Sequence, residues 1–117
     1  MKTFVLLFRM DITDPKLQPS KKQMEQFMRQ WMLWINEVED NGQLANGGNH
    51  LSREGRVLKP KGQITHKPYT EDTMSVAGYI ILTADSIDEA TNIAAKCPIL
   101  NGDQTSVEIR ETALPGM

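Results

Sequence analysis

The sequence predicts an α+β domain. Two apolar runs of strand length, residues 3–10 and 76–84, are each followed by a serine-capped amphipathic stripe of helical period, and a Pro-Lys-Gly turn lies between them. The 117 residues fit one domain spanning 1–117, large enough to bury about two-thirds of its unfolded surface.

The first strand alternates Phe4, Leu6, Phe8 and Met10 on one side with Val5 and Leu7 on the other. Asp11 to Pro19 reads as a loop, broken by Asp14-Pro15 and Pro19-Ser20. Ser20 and Gln23 have the spacing of a capping box, in which each side chain satisfies the other's orphan backbone N–H. From there Met24, Phe27, Met28, Trp31, Trp34, Ile35 and Val38 recur every three or four residues as one apolar stripe. Asn41-Gly42 supplies the stop.

A short strand from Gln43 runs into Gly47-Gly48. Arg56–Lys59 and Gln63–Thr65 then flank Pro60-Lys61-Gly62 as a hairpin. Residues 66–75 form a polar loop before the strand 76–84. Ser86 and Glu89 repeat the capping-box spacing ahead of a helix that turns Ile87, Ala90, Ile93, Ala94 and Cys97 inward and ends at Pro98. In the last strand, 106–112, Val107 and Ile109 share one side while Glu108 and Arg110 share the other; the tail from Ala113 is expected to be loose. The order β, α, β, hairpin, β, α, β is the split βαβ, ferredoxin-like plan with a central hairpin added.

Two helices roof only one face of such a sheet, and the other face should turn polar if water sees it. Strands 3–10 and 76–84 instead carry large apolar residues on both parities: Val76, Ile80 and Leu82 against Ala77, Tyr79 and Ile81 in the latter. Four such side chains left uncovered would forgo roughly 6–12 kcal/mol of burial. The expected remedy is a second copy packed face to face as a homodimer; the alternative is a monomer whose helices and hairpin cover both faces.

Charge and composition exclude several classes. A net charge of −2 with scattered lysines is no footprint for a nucleic-acid backbone. The apolar N-terminal run is too short for a membrane span or a signal core, and the lone Cys97 suits a reducing compartment, so a cytoplasmic protein with no membrane association is expected. Two histidines and one cysteine have no metal-ligand spacing, and Gly47-Gly48 lacks the rest of a phosphate loop, so neither metal nor cofactor is expected.

Five segments taken together resemble the YCII-related proteins: Phe4-Val-Leu-Leu-Phe-Arg9, Trp31-x-x-Trp34, Gly47-Gly48 before Leu51, Pro68-Tyr69 upstream of Gly78-Tyr79, and Asp85-Ser-Ile-Asp-Glu-Ala90. The resemblance runs from residue 3 to about 112 and is nearest the branch marked by an Asp-Gly-Pro-Phe motif, here altered to His66-Lys67-Pro68-Tyr69. It implies a dimeric α+β barrel and a family that includes small enzymes of aromatic-ring degradation such as dehydrochlorinases. In its namesake branch a His–Asp pair is associated with acid–base chemistry. Glu71 matches the glutamate that follows the family motif.

The residues themselves offer a matching candidate site. His50 and His66 are the only side chains that ordinarily titrate near neutrality, and a histidine oriented by Glu71 or Asp72 could move a proton on a small substrate. Arg9 could clamp a carboxylate, or pair with Glu108 at the sheet margin. Trp31 and Tyr69 are candidate binding residues, with core packing the plain alternative for Trp31 and for Tyr79. Two functions follow: a cofactor-free enzyme performing isomerisation or elimination on a small organic molecule, or a non-catalytic module binding a metabolite or a partner protein.

Overall fold

The computed structural model describes residues 1–13 and 20–113. The Asp14-Pro15 and Pro19 breakers and the tail beyond Ala113 lie outside the described residues. The elements are β1 (Lys2–Asp11), α1 (Lys21–Asp40), β2 (Leu44–His50), β3 (Val57–Lys59), β4 (Gln63–Thr65), β5 (Met74–Ala84), α2 (Ile87–Ala94) and β6 (Ser106–Glu111). The chain is α+β, as the patterns predict.

β2, β5, β1 and β6 form one antiparallel sheet in that order, and β3 pairs with β4 in a separate two-stranded ribbon. β1 is central and pairs along its whole length with β5, from Lys2 opposite Ala84 to Asp11 opposite Met74. Both helices lie on one face. Phe4, Leu6 and Phe8 of β1 and Ile80, Leu82 and Ala84 of β5 are buried there with Trp31, Trp34, Ile35 and Val38 of α1 and Ala90 and Ala94 of α2. Phe8 meets Trp31 edge-on at 4.9 Å between ring centroids, and Trp34 Nε1 donates to the carbonyl of Ile93 at 3.1 Å, tying the two helices together.

Local chemistry sets the boundaries. The Ser20 capping box is reciprocal: Gln23 N–H donates to Ser20 Oγ at 3.2 Å and Ser20 N–H donates to Gln23 Oε1 at 2.9 Å. At α2 only half of the predicted box forms. Ser86 Oγ accepts from Glu89 N–H at 3.1 Å, while the Glu89 carboxylate takes a hydrogen bond from Gln43 of the neighbouring turn instead.

Three expectations are corrected. Met24, at the start of the α1 stripe, is 42% exposed, and Ile87 of α2 is 51% exposed, because both lie at the helix starts beyond the buried core. β2 does not end at the glycine pair but continues to His50. Gly48 has φ +62°, and a Cβ on it would fall 1.6 Å from the carbonyl oxygen of Tyr79, so the close approach that glycine permits here is to β5. Finally, a bulge between the Phe8–Gly78 and Arg9–Val76 pairs shifts the parity of β5, so Val76 sits opposite Arg9 rather than on the side of Ile80.

Candidate functional site

The uncovered face of the sheet follows from these registers. Val5 opposes Ile81, Leu7 opposes Tyr79 and Arg9 opposes Val76, all half-buried and turned away from the helices. No described helix or strand lies over them. β6 adds Glu108 opposite Leu7 and Arg110 opposite Val5 on the same side, so a charged rim borders the apolar centre. Tyr79 is therefore not a core residue: its hydroxyl accepts from Asn49 Nδ2 at 3.2 Å across β2.

Arg9 is on this open face, opposite Val76. Its Nη1 donates to Glu108 Oε1 at 2.6 Å, and Arg110 Nη1 donates to the other carboxylate oxygen at 3.3 Å. Two guanidinium groups thus share one carboxylate. The Arg9 hydrogen bond, joined by that of Arg110, holds the Glu108 carboxyl below its ordinary range. Asp11, two positions beyond Arg9, accepts from the backbone and hydroxyl of Thr13 and from the Thr73 hydroxyl.

The Glu108 shift has a signed consequence. A carboxyl whose folded pKa is lowered adds stability above its unfolded pKa and loses it as the pH falls through the folded value. Glu108→Gln is therefore expected to lower the urea midpoint at pH 7, with the gap from wild type closing below the ordinary carboxylate range. A gap that is the same at pH 7 and at pH 2 would rule out the charged pair as its cause.

The remaining candidate residues lie at the end of the sheet where β2 stops and β5 begins. His50 is exposed at the end of β2, its ring 5.6 Å from that of Trp31, which is buried between Phe8 and Trp34. His66 is exposed just after β4, and Tyr69 is 67% exposed with its backbone carbonyl accepting from the Ser75 hydroxyl. Glu71 pairs through its backbone with Met74 to close a tight turn in which Asp72 and Thr73 adopt φ values of +50° and +69°. Among the described residues, no hydrogen bond or ion pair joins either imidazole to Glu71, Asp72 or any other carboxylate. What the fold brings together instead is Arg9, Glu108 and Arg110, of which sequence reasoning singled out Arg9 and its Glu108 partner but missed Arg110.

Two concave surfaces accompany the helices. One, of about 640 Å³, follows the outer flank of α1 past Met24, Met28 and Met32; the other, of about 350 Å³, runs between α1 and residues 95–101. Cys97 borders the second, but burial pushes its thiol up to about 11, which leaves it a weak nucleophile at neutral pH. No described helix is long and apolar enough to cross a membrane, and no cluster of potential metal ligands occurs among the described residues. No protein-family model matches the chain, and no curated protein matches it.

Proposed function

We propose that the chain is a ferredoxin-like, YCII-related domain that works as a face-to-face homodimer and binds a small carboxylate at the seam between its sheets. The observation that carries this reading is the Arg9–Glu108–Arg110 cluster beside an uncovered apolar face. Strand order β2-β5-β1-β6 with both helices on one side supports the ferredoxin-like part. The half-buried Val5, Leu7, Val76, Tyr79 and Ile81 support the dimer, since a contiguous apolar patch of this kind marks an interface.

The ligand class follows from charge. Covering the open face removes water from two arginines that have one carboxylate between them. Desolvated charge without a partner is costly, so an anion presented to the free donors of Arg9 and Arg110 is favoured. A carboxylate suits the planar, paired donors of a guanidinium. The aromatic ring of Tyr79 opposite Leu7 offers a flat contact for an organic body attached to it. The alternative of acid–base catalysis needs an imidazole beside a carboxylate, and among the described residues no carboxylate is hydrogen-bonded to the exposed His50 or His66.

A thermal-shift screen of small aromatic acids and keto acids tests the reading. Hits are expected to stabilise wild type and His66→Ala equally and to lose at least about tenfold in affinity with Arg9→Met, which removes a charge-assisted hydrogen bond. Binding that survives Arg9→Met would overturn the seam site. Turnover of a hit by wild type that is lost in His66→Ala would restore the catalytic alternative.

A further inference from the structure

The hairpin β3–β4 is the part of the molecule that its own fold explains least. It belongs to no larger sheet, and a two-stranded ribbon is marginal alone. Leu58 and Ile64, directly opposite each other across it, are 74% and 51% exposed. The molecule is a slab of 45 × 42 × 19 Å, too thin for the ribbon to stack as a third layer on the sheet and its helices. The radius of gyration, 15.6 Å, exceeds the roughly 13 Å of a compact chain of this length, so the chain as a whole is extended.

The arm is also where the positive charge is concentrated. Residues 53–67 contain Arg53, Arg56, Lys59, Lys61 and Lys67 against Glu54 alone, a charge of +4 in a chain of −2, so the remainder carries −6. Among the described residues none of these five cations forms an ion pair. The opposite end of the sheet, where α1 stops, β5 stops and α2 starts, holds Glu39, Asp40, Asp85 and Asp88, equally without ion pairs among the described residues. The protein therefore has at one end a basic arm, with the exposed Leu58–Ile64 pair midway along it, and an acidic end at the other.

Resting on the homodimer proposed above, we infer that each arm docks on the acidic end of the second copy, and that this fixes how the two sheets stack. A two-fold axis parallel to the strands would lay arm over arm and acid over acid. An axis across the strands lays each arm over the partner's acidic end, twice per dimer. Opposite charges favour the second arrangement and like charges disfavour the first. The exposed Leu58–Ile64 pair gains cover in the same step.

Sedimentation equilibrium on the intact protein tests this with charge reversal. Lys59→Glu/Lys61→Glu and Asp40→Lys/Asp85→Lys are each expected to weaken dimerisation at least tenfold in 50 mM salt and much less in 500 mM salt, where screening is strong. Combining all four reversals in one chain should bind more tightly than either double variant, because positions 59 and 61 then again carry the sign opposite to that of 40 and 85. A quadruple variant as weak as the product of the two double variants would count against the contact. All the positions are exposed, and circular dichroism verifies that the variants fold. If both reversals leave the dimer constant unchanged while Ile81→Asp dissociates it, the arm contact is wrong and the sheet-face dimer stands. A monomeric wild type overturns both. Arm reversals that abolish binding to phosphatidylserine vesicles but leave dimerisation unchanged would show that the arm serves an anionic membrane, against the inference.

Discussion

Gly48→Ala is expected to destabilise the fold by about 3 kcal/mol or more, a fall in Tm of roughly 12 °C in a domain of this size. Two costs combine. The residue has φ +62°, a region in which an L side chain is strained, and the added methyl carbon would stand 1.6 Å from Tyr79 O and 2.6 Å from its carbonyl carbon. Both atoms are backbone, so no side chain can swing aside. Relief requires β2 to withdraw from β5, breaking the pairings of Asn46 with Ile81, Asn49 with Tyr79 and His50 with Gly78. The adjacent Gly47 is the control: nothing lies within 4 Å of a Cβ placed on it, and Gly47→Ala should change stability by less than about 0.5 kcal/mol. Equal melting temperatures for the two variants, followed by circular dichroism, would refute the close approach.

The contrast between these neighbouring glycines shows where reading a sequence succeeds and stops. Elements dictated by local chemistry are legible. Ser20 with Gln23, the α1 stripe through Trp31, Trp34, Ile35 and Val38, and the alternation of Phe4, Leu6 and Phe8 each need only a few neighbouring residues to be recognised, and each is present. What depends on a distant strand is not legible. Nothing near Gly48 announces that Tyr79 will press against it. Nothing near Val76 announces a bulge opposite Phe8 and Arg9 that moves it to the other face. The start of a helical stripe is a related case, since the periodicity that marks Met24 and Ile87 as inward does not say how far the sheet extends beneath them.

The candidate site divides in the same way. Val5, Leu7 and Arg9 share a parity within one strand, so their common face is visible in the sequence; that Glu108 and Arg110 complete the cluster depends on β6 pairing with β1 after nearly a hundred intervening residues. The two histidines stand out in the sequence for their chemistry alone. Residue type indicates what a group can do but carries no information about its neighbours, and His50 finds the ring of Trp31 where acid–base work would need a carboxylate.

Ile81→Asp is expected to give a folded monomer, weakening the proposed dimer by at least about a thousandfold, or roughly 4 kcal/mol. Ile81 lies opposite Val5 in the apolar centre of the open face, and two-fold symmetry places the change in the seam twice. Each copy would then bring an aspartate into a desolvated patch where its cross-strand neighbour is Val5, so that burial and the repulsion between the two copies' aspartates act together. Ile81→Val, which removes one methylene and keeps the patch apolar, should cost less than about tenfold. The adjacent residue makes the test specific to the register. Leu82 points to the helices, is fully buried beneath them, and opposes Phe4. Leu82→Asp should therefore abolish folding, with loss of the far-ultraviolet circular dichroism signal, while Ile81→Asp keeps that signal and halves the sedimenting mass. If Ile81→Asp unfolds the chain as Leu82→Asp does, its side of the sheet is already part of a monomer's core. If it remains folded at the wild-type mass, that side is not where two copies meet.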